Sequence, residues 1–273
     1  MDPILIIALI VVGICASIVG TIFGIGGGIL FIPILTVVFG LTASEAVAVS
    51  LVGIIATSTG AASSFVKNGM SNVRLGLLLE ITTTIGAMIG AVVAGYVANW
   101  ILLCVFACVL IYSGTNMIFR KERIIENSDE AGDLNFSYVD GKEPIIKRYK
   151  IINVKSGLLI CTAAGVLSST TGVGGGTIKV PLMNVHMHIP IKVASATSSY
   201  MIGITAFAGA IVYFIHGDLL LDYAAAIAVG ALIGSLIGTR ISKLIDAGPL
   251  RKYFSILLFA ISIIIFLEAG GIL

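Results

Sequence analysis

The chemistry legible in this sequence lies in backbone more than in acid–base side chains. Gly24-Ile-Gly-Gly-Gly-Ile-Leu-Phe-Ile-Pro33 and Gly172-Val-Gly-Gly-Gly-Thr-Ile-Lys-Val-Pro181 are two glycine clusters, each closed by a proline. Gly24, Gly26, Gly27 and Gly28 in the first, and Gly172, Gly174, Gly175 and Gly176 in the second, free the chain for turns that a Cβ disfavours. A helix restarting after each cluster, over 29–32 and 177–180, would aim its first N–H groups and its positive dipole end at the break. That geometry suits a small anion. It does not suit a dinucleotide: G-x-G-x-x-G needs glycine where Ile29 stands, and no strand–helix unit surrounds it.

Side chains near the clusters extend this candidate site. Thr21 flanks the first; Ser168, Ser169, Thr170, Thr171 and Thr177 flank the second; Ser50, Ser198 and Ser199 sit at matching depths in the segments that follow. Each hydroxyl has the competing option of bonding to its own helix backbone. Lys179 is sharper, because a lysine in an apolar hairpin is costly and either marks a function or snorkels to the surface. The matching position in the first cluster is Phe31, so that charge is no part of a shared scaffold. Glu80 is the acidic residue clearly inside an apolar span, open to a salt bridge, an interfacial role or proton coupling.

Other chemistries find little support. Cys104 and Cys108 lie one helical turn apart in an apolar run, where packing is the ordinary role. His186-x-His188 is not by itself a metal site, and no cofactor or metal is expected. There is no HExxH, no span with paired aspartates, and no Ser/His or Cys/His set at one depth, so the chain is not expected to be an enzyme. A P-loop is missing too, which excludes a primary pump for this chain alone.

These residues must be positioned by helices in a membrane. Of 273 residues 58% are hydrophobic and 11% charged, with mean hydropathy +1.12; soluble domains carry about 25% charged residues. Apolar runs reach the roughly 20 residues that cross a bilayer as a helix, and the alternation of a barrel is missing. The fold class expected is an all-α polytopic membrane protein. Met1-Asp2-Pro3 lacks the basic start of a cleavable leader, so the first apolar segment is expected in the mature protein.

An internal repeat organises the chain. The clusters are offset by 172 − 24 = 148, and in that register Ala46, Ala48 and Ser50 fall on Ala194, Ala196 and Ser198, and Thr57 on Thr205. Gly69, Gly86 and Gly90 likewise fall on Gly217, Gly234 and Gly238. Such repeats mark secondary-transporter folds. The expected organisation is a first transmembrane repeat over 1–119, a charged linker over 120–152 and a second repeat over 153–273. A small ordered subdomain in the linker would have little core material. Gly86/Gly90 and Gly234/Gly238 fit close helix packing.

Each repeat holds four apolar segments, near 3–40, 43–66, 73–98 and 100–119, then near 153–188, 191–215, 219–243 and 250–270. If every segment crosses once, giving eight spans, the 16 Lys and Arg split ten to six. If segments 3–40 and 153–188 instead dip in and return as re-entrant hairpins, all fall on one side, Lys179 within its hairpin apart. Asp2, Glu45, Asp218, Asp222 and Glu268 then occupy the other side. The positive-inside rule favours the second arrangement: an inverted repeat with six full spans, both termini outside and the linker cytoplasmic. Two breaks so related would meet near the midplane.

The paired glycine-rich, proline-closed segments, with Ala-Val-Ala-Val-Ser50 and Ala-Ser-Ala-Thr-Ser198 after them, resemble the sulfite exporter TauE/SafE family over essentially the whole chain. It is also called the 4-toluene sulfonate uptake permease family. The resemblance implies a carrier in the cell membrane for sulfite, an organosulfonate or a similar small anion. Its expected partners are that anion and the bilayer, without nucleic acid or cofactor, in an open oligomeric state. An anion channel on the same breaks, or a carrier of a small organic anion without sulfur, are the alternatives.

Overall fold

The computed structural model describes residues 3–93, 99–119, 136–139, 146–171 and 175–269. In chain order the helices are α1 (Pro3–Phe23), α2 (Gly28–Val37), α3 (Ala43–Lys67), α4 (Val73–Val93) and α5 (Asn99–Phe119). A hairpin of β1 (Phe136–Val139) and β2 (Ile146–Tyr149) follows. Then come α6 (Val154–Thr171), α7 (Gly176–Pro181) running into a π-helical turn (Leu182–His186), α8 (Ile191–His216), α9 (Leu221–Leu244) and α10 (Ala247–Ala269). The starts of α2 and α7, α3 and α8, α4 and α9, and α5 and α10 all differ by 148.

Length and composition explain these helices. Without a bulk-water partner, every backbone N–H and C=O in the bilayer must be satisfied within its own segment. Among the described residues five helices, α1, α3, α8, α9 and α10, are long and apolar enough to cross. The first apolar segment breaks unevenly: α1 has 21 residues before the glycines and α2 has 10 after them. At 1.5 Å per residue α1 is about 31 Å long, a bilayer's thickness on its own. The start of α3 is fixed by a capping box, in which the Thr42 N–H donates to Glu45 Oε2 at 2.9 Å and the Glu45 N–H to Thr42 Oγ1 at 3.4 Å. In α7 the buried Pro181 has no N–H to give, and the wider π turn follows directly.

The chain divides into two compact units, one of Met1–Val73 with Ser195–Leu244, the other of Arg74–Ala194 with Ile245–Leu273. In the first, α1 and α9 pack backbone to backbone. A Cβ on Gly230 would overlap the Ile10 carbonyl, one on Gly234 the Ile14 carbonyl, and one on Gly238 would meet the Ile18 carbonyl at 3.0 Å. Both numbers rise together, so the two helices run parallel. Gly53 meets Ile227 and Gly60 meets Ser235, so α3 is parallel to α9 as well. Two parallel helices this close in sequence need a return path, and α2 with 38–42 supplies it. By contrast α8 runs antiparallel to α3: a Cβ on Gly203 would overlap the Ser58 side chain, and one on Gly209 would meet the Leu51 side chain at 3.2 Å. Leu9, Phe31, Leu35, Val49, Ile54 and Ile227 form the core of this unit.

In the second unit, a Cβ on Gly86 would overlap the Thr162 carbonyl and one on Gly165 the Thr83 carbonyl, which locks α4 onto α6. The packing expected of Gly86, Gly234 and Gly238 is therefore present; the surroundings of Gly90 lie outside the described residues. α5 and α10 are antiparallel, with Ser255 Oγ donating to Gly114 O at 2.6 Å and Arg251 Nη2 to Asn116 O at 3.4 Å. Within the linker the described residues 136–139 and 146–149 form paired strands, which its composition does not suggest. Its β-hairpin pairs Phe136 with Tyr149 and Val139 with Ile146, and packs the buried rings of Tyr138 and Tyr149 edge to face at 6.1 Å. That ring pair is the core material that a count of apolar residues overlooks.

Large apolar side chains cover the outside as well as the core. Ile4, Ile7, Val37, Ile81, Phe207, Ile215 and Ile263 face outward, while Ser17, Ser50, Thr57, Ser198, Ser235 and Thr239 are buried.

Candidate functional site

In the first unit α1 ends at Phe23 and the backbone turns sharply. Gly20 O accepts from the N–H groups of Ile25 at 2.9 Å and Gly26 at 3.2 Å. Gly24 has φ +73° and lies so close to Ser195 that a Cβ would overlap its backbone, so two independent constraints demand glycine. Gly27, at φ +84°, is the N-cap of α2 and brings no side chain to cap it. The first N–H groups of a helix have no intrahelical partner, so this uncapped start presents donors to the break. Gly26 and Gly28 both lie against Ile54, the twelfth of the 25 residues of α3, so the break stands near half depth.

Of the hydroxyls expected here, Ser198 takes part: its Oγ donates to Gly24 O at 2.7 Å and ties α8 to the break. Ser50 and Ser199 do not reach it. Their hydroxyls donate to Val47 O at 2.9 Å and to Ser195 O at 3.0 Å, each within its own helix. Two buried hydroxyls near the break, Thr21 Oγ1 and Ser195 Oγ, have no hydrogen-bond partner among the described residues. Unsatisfied buried hydroxyls are uncommon and costly. Ser195 is a residue that the repeat register hides, because Val47 occupies its matching position.

In the second unit, Gly172 and Gly174 lie outside the described residues, as do the side chains of Thr170 and Thr171 at the end of α6. Gly175 is the N-cap of α7, again without a side-chain cap, and Gly176 and Thr177 are buried at its start. Lys179 does not snorkel. It is fully buried and folds back over the break, its Cε 2.8 Å and its Nζ 3.3 Å from where a Gly175 Cβ would stand. Its Nζ donates to Glu80 Oε2 at 2.6 Å, and Glu80 is itself 3% exposed rather than interfacial. The two intramembrane charges that the sequence leaves separate are thus one ion pair.

The packing at the two breaks matches. Phe31 lies over Gly27 as Lys179 lies over Gly175, with its ring carbon 3.1 Å from a Cβ at Gly27. In the 148 register Glu80 corresponds to Ala228, so the first unit has a phenyl and a methyl where the second has an ion pair. Cys161 of α6 is buried beside that pair. His186 has a structural partner, since its Nε2 lies 2.8 Å from Ser156 Oγ. Among the described residues no group of three His, Cys, Asp or Glu is placed to hold a metal.

Long helices with apolar outward faces, together with buried hydroxyls, broken backbone and a buried ion pair, define a polytopic α-helical membrane protein. The model of the family described as sulfite exporter TauE/SafE matches residues 9–265, and the chain belongs to that family of membrane transporters. It is 28% identical over 244 residues to the probable membrane transporter protein YunE of Bacillus subtilis, covering 87% of this chain and 88% of that one. To the probable membrane transporter protein MJ0441 of Methanocaldococcus jannaschii it is 27% identical over 264 residues, 92% of this chain and 91% of that one. Sulfite exporter TauE/SafE family protein 5 of Arabidopsis thaliana is 32% identical over 102 residues, 37% of this chain and 23% of the plant protein. No solved structure gives a significant match.

Proposed function

We propose that the chain is a secondary carrier that moves a small anion, sulfite or an organosulfonate, across the cell membrane by alternating access, with its glycine breaks as binding elements. The observation that carries this reading is the ammonium of Lys179 folded onto an uncapped helix start in an otherwise apolar interior. A cation, helix-start N–H groups and buried hydroxyls are each groups that can hold an anion away from water. The substrate class follows from the family description and from the plant relative's name.

An inverted repeat with the linker in the cytoplasm and both termini outside accompanies this proposal. α3 and α8 occupy matching places in the repeat and run antiparallel, and so do α5 and α10. A single crossing of residues 3–40 would make each of those pairs parallel. α1 and α3 run the same way beside α9, which supports a first segment that returns to the face it left. In this arrangement α1 is the long arm of a re-entrant hairpin, and α2 is the short returning arm.

Uptake of labelled sulfite and of sulfoacetate into proteoliposomes tests the function, with sulfate and acetate as competitors. Saturable uptake blocked by sulfonates and not by acetate is the expected result. A correctly inserted protein that takes up neither would overturn the sulfur-oxyanion assignment, and stepwise single-molecule currents would replace the carrier with a channel.

A further inference from the structure

We infer that Lys179 and Glu80 couple anion binding to proton uptake: an anion takes Lys179 from Glu80 only as Glu80 gains a proton. The inference rests on the carrier reading above and specifies its driving ion. As found, the pair is neutral, one ammonium against one carboxylate at 2.6 Å, with side chains 0% and 4% exposed. A monoanion reaching Nζ while Glu80 is ionised would leave a net negative charge out of water, which low-dielectric surroundings penalise steeply. A proton from water on the open side, bonding to the Glu80 carboxylate, returns the sum to zero. Release reverses both events: the anion leaves, the carboxylic O–H gives its proton to water, and the ion pair re-forms. Both neutral states can cross between faces, and the charged intermediates cannot, so anion and proton move together as a symport.

Scaffold does not account for the pair. Phe31 and Ala228 fill the matching positions of the first unit with hydrocarbon, and buried ion pairs add little to stability over well-packed apolar groups. The surrounding titratable groups leave the proton to Glu80. α7 packs on α5, α6 and the π turn. On these, Cys108, Tyr112 and Lys155 are exposed, Cys104 is half-buried, and His186 is bonded to Ser156. On α4 Arg74 is exposed, and beyond the π turn are the half-buried His188 and the buried Lys192 at the start of α8. Among the described residues of these packed elements, Cys161 shares the burial of the pair and faces it.

The test uses the full chain in proteoliposomes loaded with a pH dye, with the membrane potential clamped. Labelled methanesulfonate, a monoanion at every pH used, is the probe, with sulfoacetate run in parallel. Wild-type uptake should acidify the interior by one proton per methanesulfonate and rise as the external pH falls. Glu80→Gln, whose amide imitates the protonated acid, should lose both the acidification and the pH dependence. Uptake without a pH change in the wild type needs no variant to interpret and sinks the coupling alone. A wild-type proton signal persisting in Glu80→Gln has the same consequence. If neither sulfonate nor labelled sulfite enters, the sulfur-oxyanion carrier reading falls and takes this inference with it.

Discussion

Lys179 and Phe31 occupy matching positions in the 148 register, each lying over an N-cap glycine, although Gly27 is left-handed at φ +84° and Gly175 right-handed at φ −65°. That comparison separates what the scaffold needs from what the site adds. Lys179→Met should strand the Glu80 carboxylate without its counter-ion and destabilise the protein by ~3–5 kcal/mol, the range for breaking a buried pair from one side. Its measure is a thermal melt in detergent. Lys179→Phe combined with Glu80→Ala imports the first unit's apolar pair and should recover most of that loss while leaving transport abolished. A double variant as unstable as the single one would mean that the second unit cannot pack as the first does. The value of Lys179 as a marked residue was legible in the sequence, because an intramembrane charge is expensive wherever it sits. Its partner was not: Glu80 lies 99 positions away in the chain, and nothing local joins them.

At the scale of helices, small residues decide how closely backbones approach. Gly230, Gly234 and Gly238 recur every four residues on one face of α9 and receive the carbonyls of Ile10, Ile14 and Ile18. Gly234→Val must push α1 and α9 apart, at a cost of about 1–3 kcal/mol or more for overpacking. Gly40→Ala meets nothing within 4 Å and bears only its positive φ of +67°, about 1–2 kcal/mol of strain. The melting temperature in detergent should therefore fall further for Gly234→Val, and equal falls would count against tight α1–α9 packing. The stripe is visible in sequence as a four-residue period. Which carbonyls fill it is not, since a period names a face of one helix and leaves the neighbour unstated.

For the molecule as a whole, helix directions bear on topology more directly than charge counting does. A reporter active only outside the cytoplasm, fused after Leu273, should be active, and one inserted in the 120–152 linker should be silent. The opposite pattern would overturn the inverted arrangement. By itself the sequence determined that this is an α-helical membrane protein, where its helices begin, and that two similar stretches repeat at an offset of 148. These follow from local composition, because a bilayer forces about 20 apolar residues into a helix and glycine breaks it. Tertiary structure alone decided the uneven arms of the first hairpin, the ring-stacked strands in the linker, the idle hydroxyls of Ser50 and Ser199, the orphan hydroxyl of Ser195, and the union of Lys179 with Glu80. Each of these depends on which distant segment packs alongside, and the hydrophobic pattern of a membrane helix, apolar on nearly every face, carries almost no information about its neighbours.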